Sequence, residues 1–221
     1  KQKQDELKDV GGFVGGTFKG DRRKAANVEG RDLITLDLDN IPTGKTEDII
    51  KRVTALGCAS LVYSTRKHTA YAPRLRIVIP LDKTASADEY EPCARKLASL
   101  IGIEFCDPTT FEASRLMYWA STCADSEYVY VVNDMPFCSL NGILNTYGDW
   151  QDVTQWPQVP GAEAIERRRL AKQEDPTTKS GVVGAFCRTY RIQDAMEKFI
   201  PGMYEPTTIP GRYTYTGGST A

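Results

Sequence analysis

The apolar run Leu33-Ile34-Thr35-Leu36 closes on Asp37-Leu38-Asp39, and no other short segment constrains the fold of this chain as strongly. Alternate residues of a strand share a face, so Leu36 and Leu38 are predicted to enter a core while Asp37 and Asp39 point together to the other side. Two carboxylates placed that way repel each other unless a divalent cation lies between them. An all-oxygen set suits Mg²⁺ or Mn²⁺, which a few carboxylates hold while substrate phosphates complete the shell. The alternative is an ordinary strand end with two solvated acids.

Composition narrows the field mainly by exclusion. The chain has 221 residues with 41% hydrophobic content, enough for one sizeable domain plus a smaller piece. Its 28 Lys and Arg nearly balance 29 Asp and Glu, so a nucleic-acid or membrane partner has to be met by local patches rather than by overall charge. No apolar run approaches the length of a membrane span, and the start Lys1-Gln2-Lys3-Gln4-Asp5-Glu6 lacks the pattern of a signal peptide. A cytoplasmic protein with no membrane partner is the expectation. The six cysteines include no C-x-x-C pair and read as reduced thiols in apolar surroundings. A single histidine, His68, excludes H-x-H endonucleases, two-histidine zinc fingers and HExxH proteases.

Periodicity lays out the elements. Residues 11–31 are glycine-rich and basic, and Lys19, Arg22, Arg23 and Lys24 are candidates for meeting nucleic-acid phosphates, with a solvated β-hairpin as the alternative. A strand over 33–39 precedes a helix from Thr46, taken as its N-cap, to about Leu56, with Gly57 ending it. Strands follow at 58–65 and 74–81, then a helix at 86–101 and strands at 115–120 and 128–132. This order predicts an α/β (α+β) sandwich, a mixed sheet covered by helices on one side in a ferredoxin-like or RRM-like plan. From about Tyr147 the character changes to a linker, with a charged helix at Glu163–Leu170 and a further helix over 181–200. The expected layout is a domain over 1–149, a linker over 150–180 and the start of a helical accessory region over 181–221. Because the pattern stops midway at Ala221, the chain is expected to be the front of a longer protein.

Chemistry concentrates between the second and third predicted strands. Ser64-Thr65-Arg66-Lys67-His68-Thr69, followed by Arg74 and Arg76, brings four cations and a histidine to a strand end with no acid among them. Open sheets place ligands there, and the cations suit a triphosphate; a solvated basic loop is the alternative. Asp107 ends the short run Phe105-Cys106 before Pro108, where a turn acid is the plain reading.

The order of these pieces, paired acids, basic histidine loop, then a single acid before Phe111-Glu112-Ala113-Ser114-Arg115-Leu116-Met117-Tyr118-Trp119, resembles the archaeo-eukaryotic primase superfamily. The resemblance is closer to the primase-polymerase modules of phage and mobile-element replication proteins of the virulence-associated protein E type. It covers GGFVGGTFKGDRRK, LITLDLDN, YSTRKHTAYAPRLRIVIPL, DPTTFEASRLMYW and DPTTKSGVVGAFCRTYRIQDAMEKF, most of the chain. It implies a DNA primase and DNA polymerase with Asp37, Asp39 and Asp107 as ligands of two Mg²⁺ or Mn²⁺ ions. It implies His68 on the incoming nucleotide's phosphates, with Arg66, Lys67, Arg74, Arg76 and Arg115 as further nucleotide contacts. The family's serine two residues before the histidine is replaced here by Arg66, which moves that role to Ser64 or Thr65. Implied partners are single-stranded or primed DNA, dNTP or NTP, and a superfamily 3 helicase following in the full-length protein, in a bacterial host cell.

Two alternatives stand beside it. A haloacid dehalogenase-type phosphatase also places D-x-D after an apolar strand and a Ser or Thr at a second strand end. Against it, the fifth motif position is Ile41, and only Asp149 and Asp152 offer its last acidic motif. A non-catalytic RRM-like nucleic-acid-binding module requires exposed aromatics on the sheet; Tyr118, Trp119, Tyr128 and Tyr130 qualify by position, with core packing the simpler expectation.

Overall fold

The computed structural model describes residues 11–161 and 175–216. The chain divides into two compact units, Lys1–Val159 and Pro160–Ala221. The charged helix expected at Glu163–Leu170 lies outside the described residues.

The first unit contains strands β1 (Gly12–Phe13), β2 (Gly16–Phe18), β3 (Val28–Leu38), β4 (Ser60–Ser64), β5 (Leu75–Ala85), β6 (Met117–Tyr118) and β7 (Tyr130–Asn133). Its helices are α1 (Thr46–Thr54), α2 (Ala87–Ile101) and α3 (Leu140–Leu144). Five strands form one sheet in the order β2-β3-β5-β4-β7, while β1 and β6 make a separate two-stranded ribbon. The α/β class and the one-sided helical cover agree with the sequence. All four ladders of the main sheet are antiparallel, where a mixed sheet was expected. The reason lies in β5, which inserts between β3 and β4 and separates the two strands that the α1 crossover would otherwise lay side by side.

Alternation divides the sheet cleanly. Ile34, Leu36 and Leu38 of β3, Val62 of β4 and Leu75, Ile77 and Ile79 of β5 form one core with Ile49 and Val53 of α1 and Cys93, Ala94, Leu97 and Ile101 of α2. Each such aliphatic side chain contributes about 1.5–3 kcal/mol on burial, so a one-residue slip of β3, which would drive Asp37 into that core, is excluded energetically. Ser86 and Glu89 form a capping box that starts α2. At α1 the N-cap is Lys45 and Thr46 is the first helical residue, so the helix starts one position earlier than expected, with no side-chain cap.

The glycine-rich stretch is explained by chain packing. A Cβ on Gly16 would run into the carbonyl oxygen of Gly30, and one on Gly12 into that of Met117. The basic residues Lys19, Arg22, Arg23 and Lys24 lie in the exposed connection of the β2–β3 hairpin, and Arg23 donates to the carbonyl of Ser114 (2.6 Å).

The first unit extends past the expected boundary at residue 149. Trp150 and Val159 pack against the core, Trp156 is 6% exposed, and its indole N–H donates to the carbonyl of Trp150 (2.7 Å). Tyr147 donates to the carbonyl of Pro92, and Arg95 to that of Pro157, so this segment lies on α2. In the second unit, the single helix expected over 181–200 is broken into α4 (Gly181–Thr189) and α5 (Ile192–Phe199). Tyr190 is extended there, and the break lets Phe199 return to Phe186 and Tyr190, with ring centroids 5.1–5.4 Å apart. A hairpin of β8 (Tyr204–Pro206) and β9 (Tyr213–Tyr215) follows. Among the described residues no helix is long and apolar enough to cross a membrane.

Trp156→Ala is expected to destabilise the first unit by about 3 kcal/mol or more in urea denaturation. Ending the chain after residue 149 should lower its melting temperature strongly, and ending it after 159 should not.

Candidate active site

Three acids meet at the end of β3, and backbone pairing brings them there. Beyond residue 31 the outer edge of β3 is no longer paired with β2, and the segment 105–110 takes that place. Leu38 forms an antiparallel bridge with Cys106; the amide of Asp107 donates to the carbonyl of Asp37 (2.8 Å), and that of Asp39 to Phe105 (3.0 Å). This register sets Asp107 beside Asp37. The Thr110 hydroxyl acts as the next rung, donating to the carbonyl of Thr35 (2.8 Å) and accepting from the amide of Asp37 (3.0 Å).

Behind that rung sits Arg31, fully buried with its guanidinium 4.2 Å over the Tyr90 ring. It donates to the carbonyl of Ala113 (2.6 Å), the carbonyl of Leu33 and the Thr35 hydroxyl. Burial lowers its affinity for the proton, partly opposed by Tyr90 and Asp32. Sequence reading missed Arg31, Tyr90 and Thr110 as parts of the site's support. Their contacts span 59 to 82 residues, and no local pattern marks them.

Across the sheet from Asp37, the ladder pairs it with Arg76 of β5, which in turn pairs with Tyr63 of β4, and Tyr63 with Tyr130 of β7. Cross-strand partners share a face, so these residues form one row on the side away from the helical core. Arg76 donates to Asp37 Oδ2 (2.9 Å) and to the carbonyl of Tyr118 (2.6 Å), which fastens the β1–β6 ribbon over the row. The other two acids have arginine partners as well: Arg74 lies 2.8 Å from Asp39, and Arg115 3.4 Å from Asp107.

The electrostatics single out Asp37. Its Oδ1 is buried with no hydrogen-bond partner. Burial holds its carboxyl above the usual carboxylate range; Arg76 opposes that shift, and Asp39 and Asp107 add to it. Asp107 is differently occupied. Its Oδ1 accepts from the amide (2.9 Å) and hydroxyl (2.8 Å) of Thr109, a cap on the turn Pro108–Phe111. The same Asp-Pro-Thr-Thr sequence at 175–178 makes the same bonds, so the turn reading of Asp107 is correct locally. Its bond to Asp37 is what distinguishes it.

The basic loop is only partly as expected. His68 is 2% exposed, and its Nδ1 lies 3.1 Å from the amide and 3.2 Å from the carbonyl of Arg74. Its ring closes the loop over 65–74 instead of facing solvent, while Lys67 and residues 69–72 of the same loop are exposed. Ser64 is removed from the nucleotide-binding set: it is fully buried, and its hydroxyl accepts from the amide of Val129 (3.0 Å). Arg76 is buried beneath the site, which makes it a holder of Asp37 rather than an exposed phosphate contact. Arg74 and Arg115, with side chains 33% and 37% exposed, remain accessible, and Arg66 and Lys67 lie on the turn itself.

Whether a divalent cation fits can be judged on these atoms. The donors are all carboxylate oxygens, and Asp37 Oδ1 is a buried acceptor that no protein group satisfies. Among the described residues, however, no three His, Cys, Asp or Glu side chains are already gathered around one point, because Asp39 and Asp107 face their arginines. The set fits in chemistry and closes on a cation only if Arg74 and Arg115 turn away. The phosphatase's last acidic motif does not reach this place: Asp149 and Asp152 bond the amides of their own turn, on the segment that packs over α2 and so on the opposite side of the sheet.

The fold and site define an antiparallel α/β domain with three acids at one strand end, each paired to an arginine. The sequence matches the VapE N-terminal domain over residues 1–159, and the chain belongs to that family. Among solved structures it is similar to the AEP domain of the cyanophage S-2L primase-polymerase, with a TM-score of 0.44 and 13% identity over 65% of this chain and 75% of that one. No curated protein matches the chain.

Thr110→Val keeps shape but leaves the Thr35 carbonyl and Asp37 amide without their partner. It should cost about 1–3 kcal/mol of stability in urea denaturation; a cost below measurement error would show that the rung does not hold the site.

Proposed function

We propose that this domain is a template-dependent nucleotidyltransferase, a DNA primase and polymerase of a phage or mobile-element replication protein. The observation that carries the reading is the backbone pairing of Asp107 with Asp37 at the end of β3, which assembles three acids beside exposed arginines. Membership of the VapE N-terminal domain family supports it further.

Asp37, Asp39 and Asp107 would hold two Mg²⁺ or Mn²⁺ ions, which when bound lower the pKa of a primer 3′-hydroxyl and stabilise the leaving pyrophosphate. The chain's own groups set up the rest. Arg76 keeps Asp37 aimed while its charge limits the cost of burying that carboxylate. Arg74 and Arg115, exchanging carboxylates for phosphates, would move onto the β- and γ-phosphates as charge develops there. His68, held at Nδ1 against the backbone of Arg74, fixes the turn that carries Arg66 and Lys67 and would offer its other ring nitrogen to a phosphate oxygen. A helicase in the full-length protein and the choice between dNTP and NTP belong to the same proposal.

Asp37→Asn, Asp39→Asn and Asp107→Asn should each abolish extension of a primed template by labelled dNTP with Mg²⁺ or Mn²⁺; full activity in Asp37→Asn would sink the reading. Mn²⁺ alone should raise the melting temperature of the wild type and not of Asp37→Asn. Because Asp37 holds its proton above the usual carboxylate range, Mn²⁺ must compete with that proton, so the thermal shift should grow as pH rises toward the raised value.

The arginines separate by role. Arg74→Ala is expected to raise the KM for dNTP about tenfold or more, since a charge-assisted contact is worth roughly 1.5–3 kcal/mol. Arg76→Ala should instead lower kcat and the melting temperature together, because it leaves Asp37 buried and unpaired. A pure KM effect in Arg76→Ala would return that residue to the phosphate side.

A further inference from the structure

Aromatic side chains assigned by sequence to core packing are found in solvent. Tyr128 and Tyr130 are 46% and 58% exposed, and their rings stack with centroids 6.1 Å apart at 18°. Both lie on or just before β7, the edge strand of the sheet, two residues apart and therefore on one face. Tyr130 stands in the cross-strand row that runs through Tyr63 and Arg76 to Asp37. Three strand spacings separate Asp37 from Tyr130, about 14 Å, the length of roughly four stacked nucleotides. Two large rings gain little by remaining stacked in water unless something else covers their faces.

The surroundings say what that partner is. Val129, between the two tyrosines, exchanges bonds with Ser64, and Cys123 donates to the carbonyl of Arg66 (3.5 Å), so the basic turn over 65–68 adjoins the pair. The Nε of Arg66 is buried with no partner. Arg66 and Lys67 on that turn supply the cations that phosphates would follow, while Asp125 and Glu127 are exposed in the segment that leads into Tyr128. Flat apolar rings edged by cations on one side match a single-stranded nucleic acid, whose bases stack while its phosphates follow the charge.

We infer that Tyr128 and Tyr130 form a base-stacking platform for single-stranded DNA, holding the strand about four nucleotides from the three acids. The inference rests on the nucleic-acid reading proposed above and adds to it the place where the strand is gripped. A stacking contact has no sequence preference, as a template site requires, because every base presents a flat face.

Fluorescence anisotropy with a short labelled oligodeoxythymidine tests it on the full chain. Tyr130→Ala should weaken binding about tenfold and the Tyr128→Ala/Tyr130→Ala pair further, while Tyr130→Phe, which keeps the ring, should bind as the wild type does. The slope of log affinity against log salt should stay unchanged in the alanine variants, since no phosphate contact is lost, and fall in Arg66→Ala. Both tyrosines being exposed, circular dichroism melts should not move. Wild-type affinity in the double variant overturns the platform, and so does an equal loss in Tyr130→Phe. A change of oligomeric state by sedimentation with DNA affinity intact would overturn it too and assign this edge to a second copy. Loss of DNA binding in Tyr130→Ala, with a wild type that extends no primer, would keep the platform and remove the polymerase reading. Intact binding in the double variant, with extension abolished by Asp37→Asn, would do the reverse.

Discussion

The ion pair between Asp37 and Arg76 is the contact on which the open face of the sheet depends. A carboxylate at 15% side-chain exposure beside two other acids is costly to keep charged, and a guanidinium at 5% exposure is costly to leave alone. Each is tolerable because the β3–β5 register sets them opposite each other at 2.9 Å. Arg76 then has a second donor for the Tyr118 carbonyl, so the same side chain anchors the β1–β6 ribbon. Register, charge compensation and ribbon placement thus rest on one residue at the centre of the sheet.

A second constraint brings in the third acid. The outer edge of β3 would carry unpaired backbone groups where β2 stops, and unpaired groups at a buried edge are expensive. The segment 105–110 satisfies them, first with backbone bonds at Asp37 and Asp39, then with the Thr110 hydroxyl. Arg31 and Tyr90 lock that segment from behind, through donors that end on Ala113, Thr35 and Thr110. Edge satisfaction and site assembly are therefore one arrangement. All three acids are held by arginines, so among the described residues they do not form a finished cation cage.

The sequence had legible signs of much of this. The apolar run into D-x-D set a strand with its acids on the outer face, because alternation is local and independent of the rest of the chain. The capping box of α2 and the Asx-capped turn at Asp107 were equally local. What failed were assignments that depended on surroundings. Ser64 looked like a ligand residue and is a buried strand link; Arg76 looked like a phosphate contact and is a clamp; Trp156 looked like part of a linker and is buried in the first unit. In each case a residue type suited to two environments was read without knowing which neighbour it would meet.

By itself, then, the sequence determined the strand and helix pattern, the family, and the identity of the acids and cations available for chemistry, because backbone periodicity and side-chain type are properties of short segments. Only the tertiary structure decided that β5 separates β3 from β4, that Asp107 lies against Asp37, and that Tyr128 and Tyr130 face water rather than the core. Those outcomes depend on which strand edges are left unpaired and which faces are covered, and residues far apart in the chain settle both through hydrogen bonds and burial that no local pattern encodes.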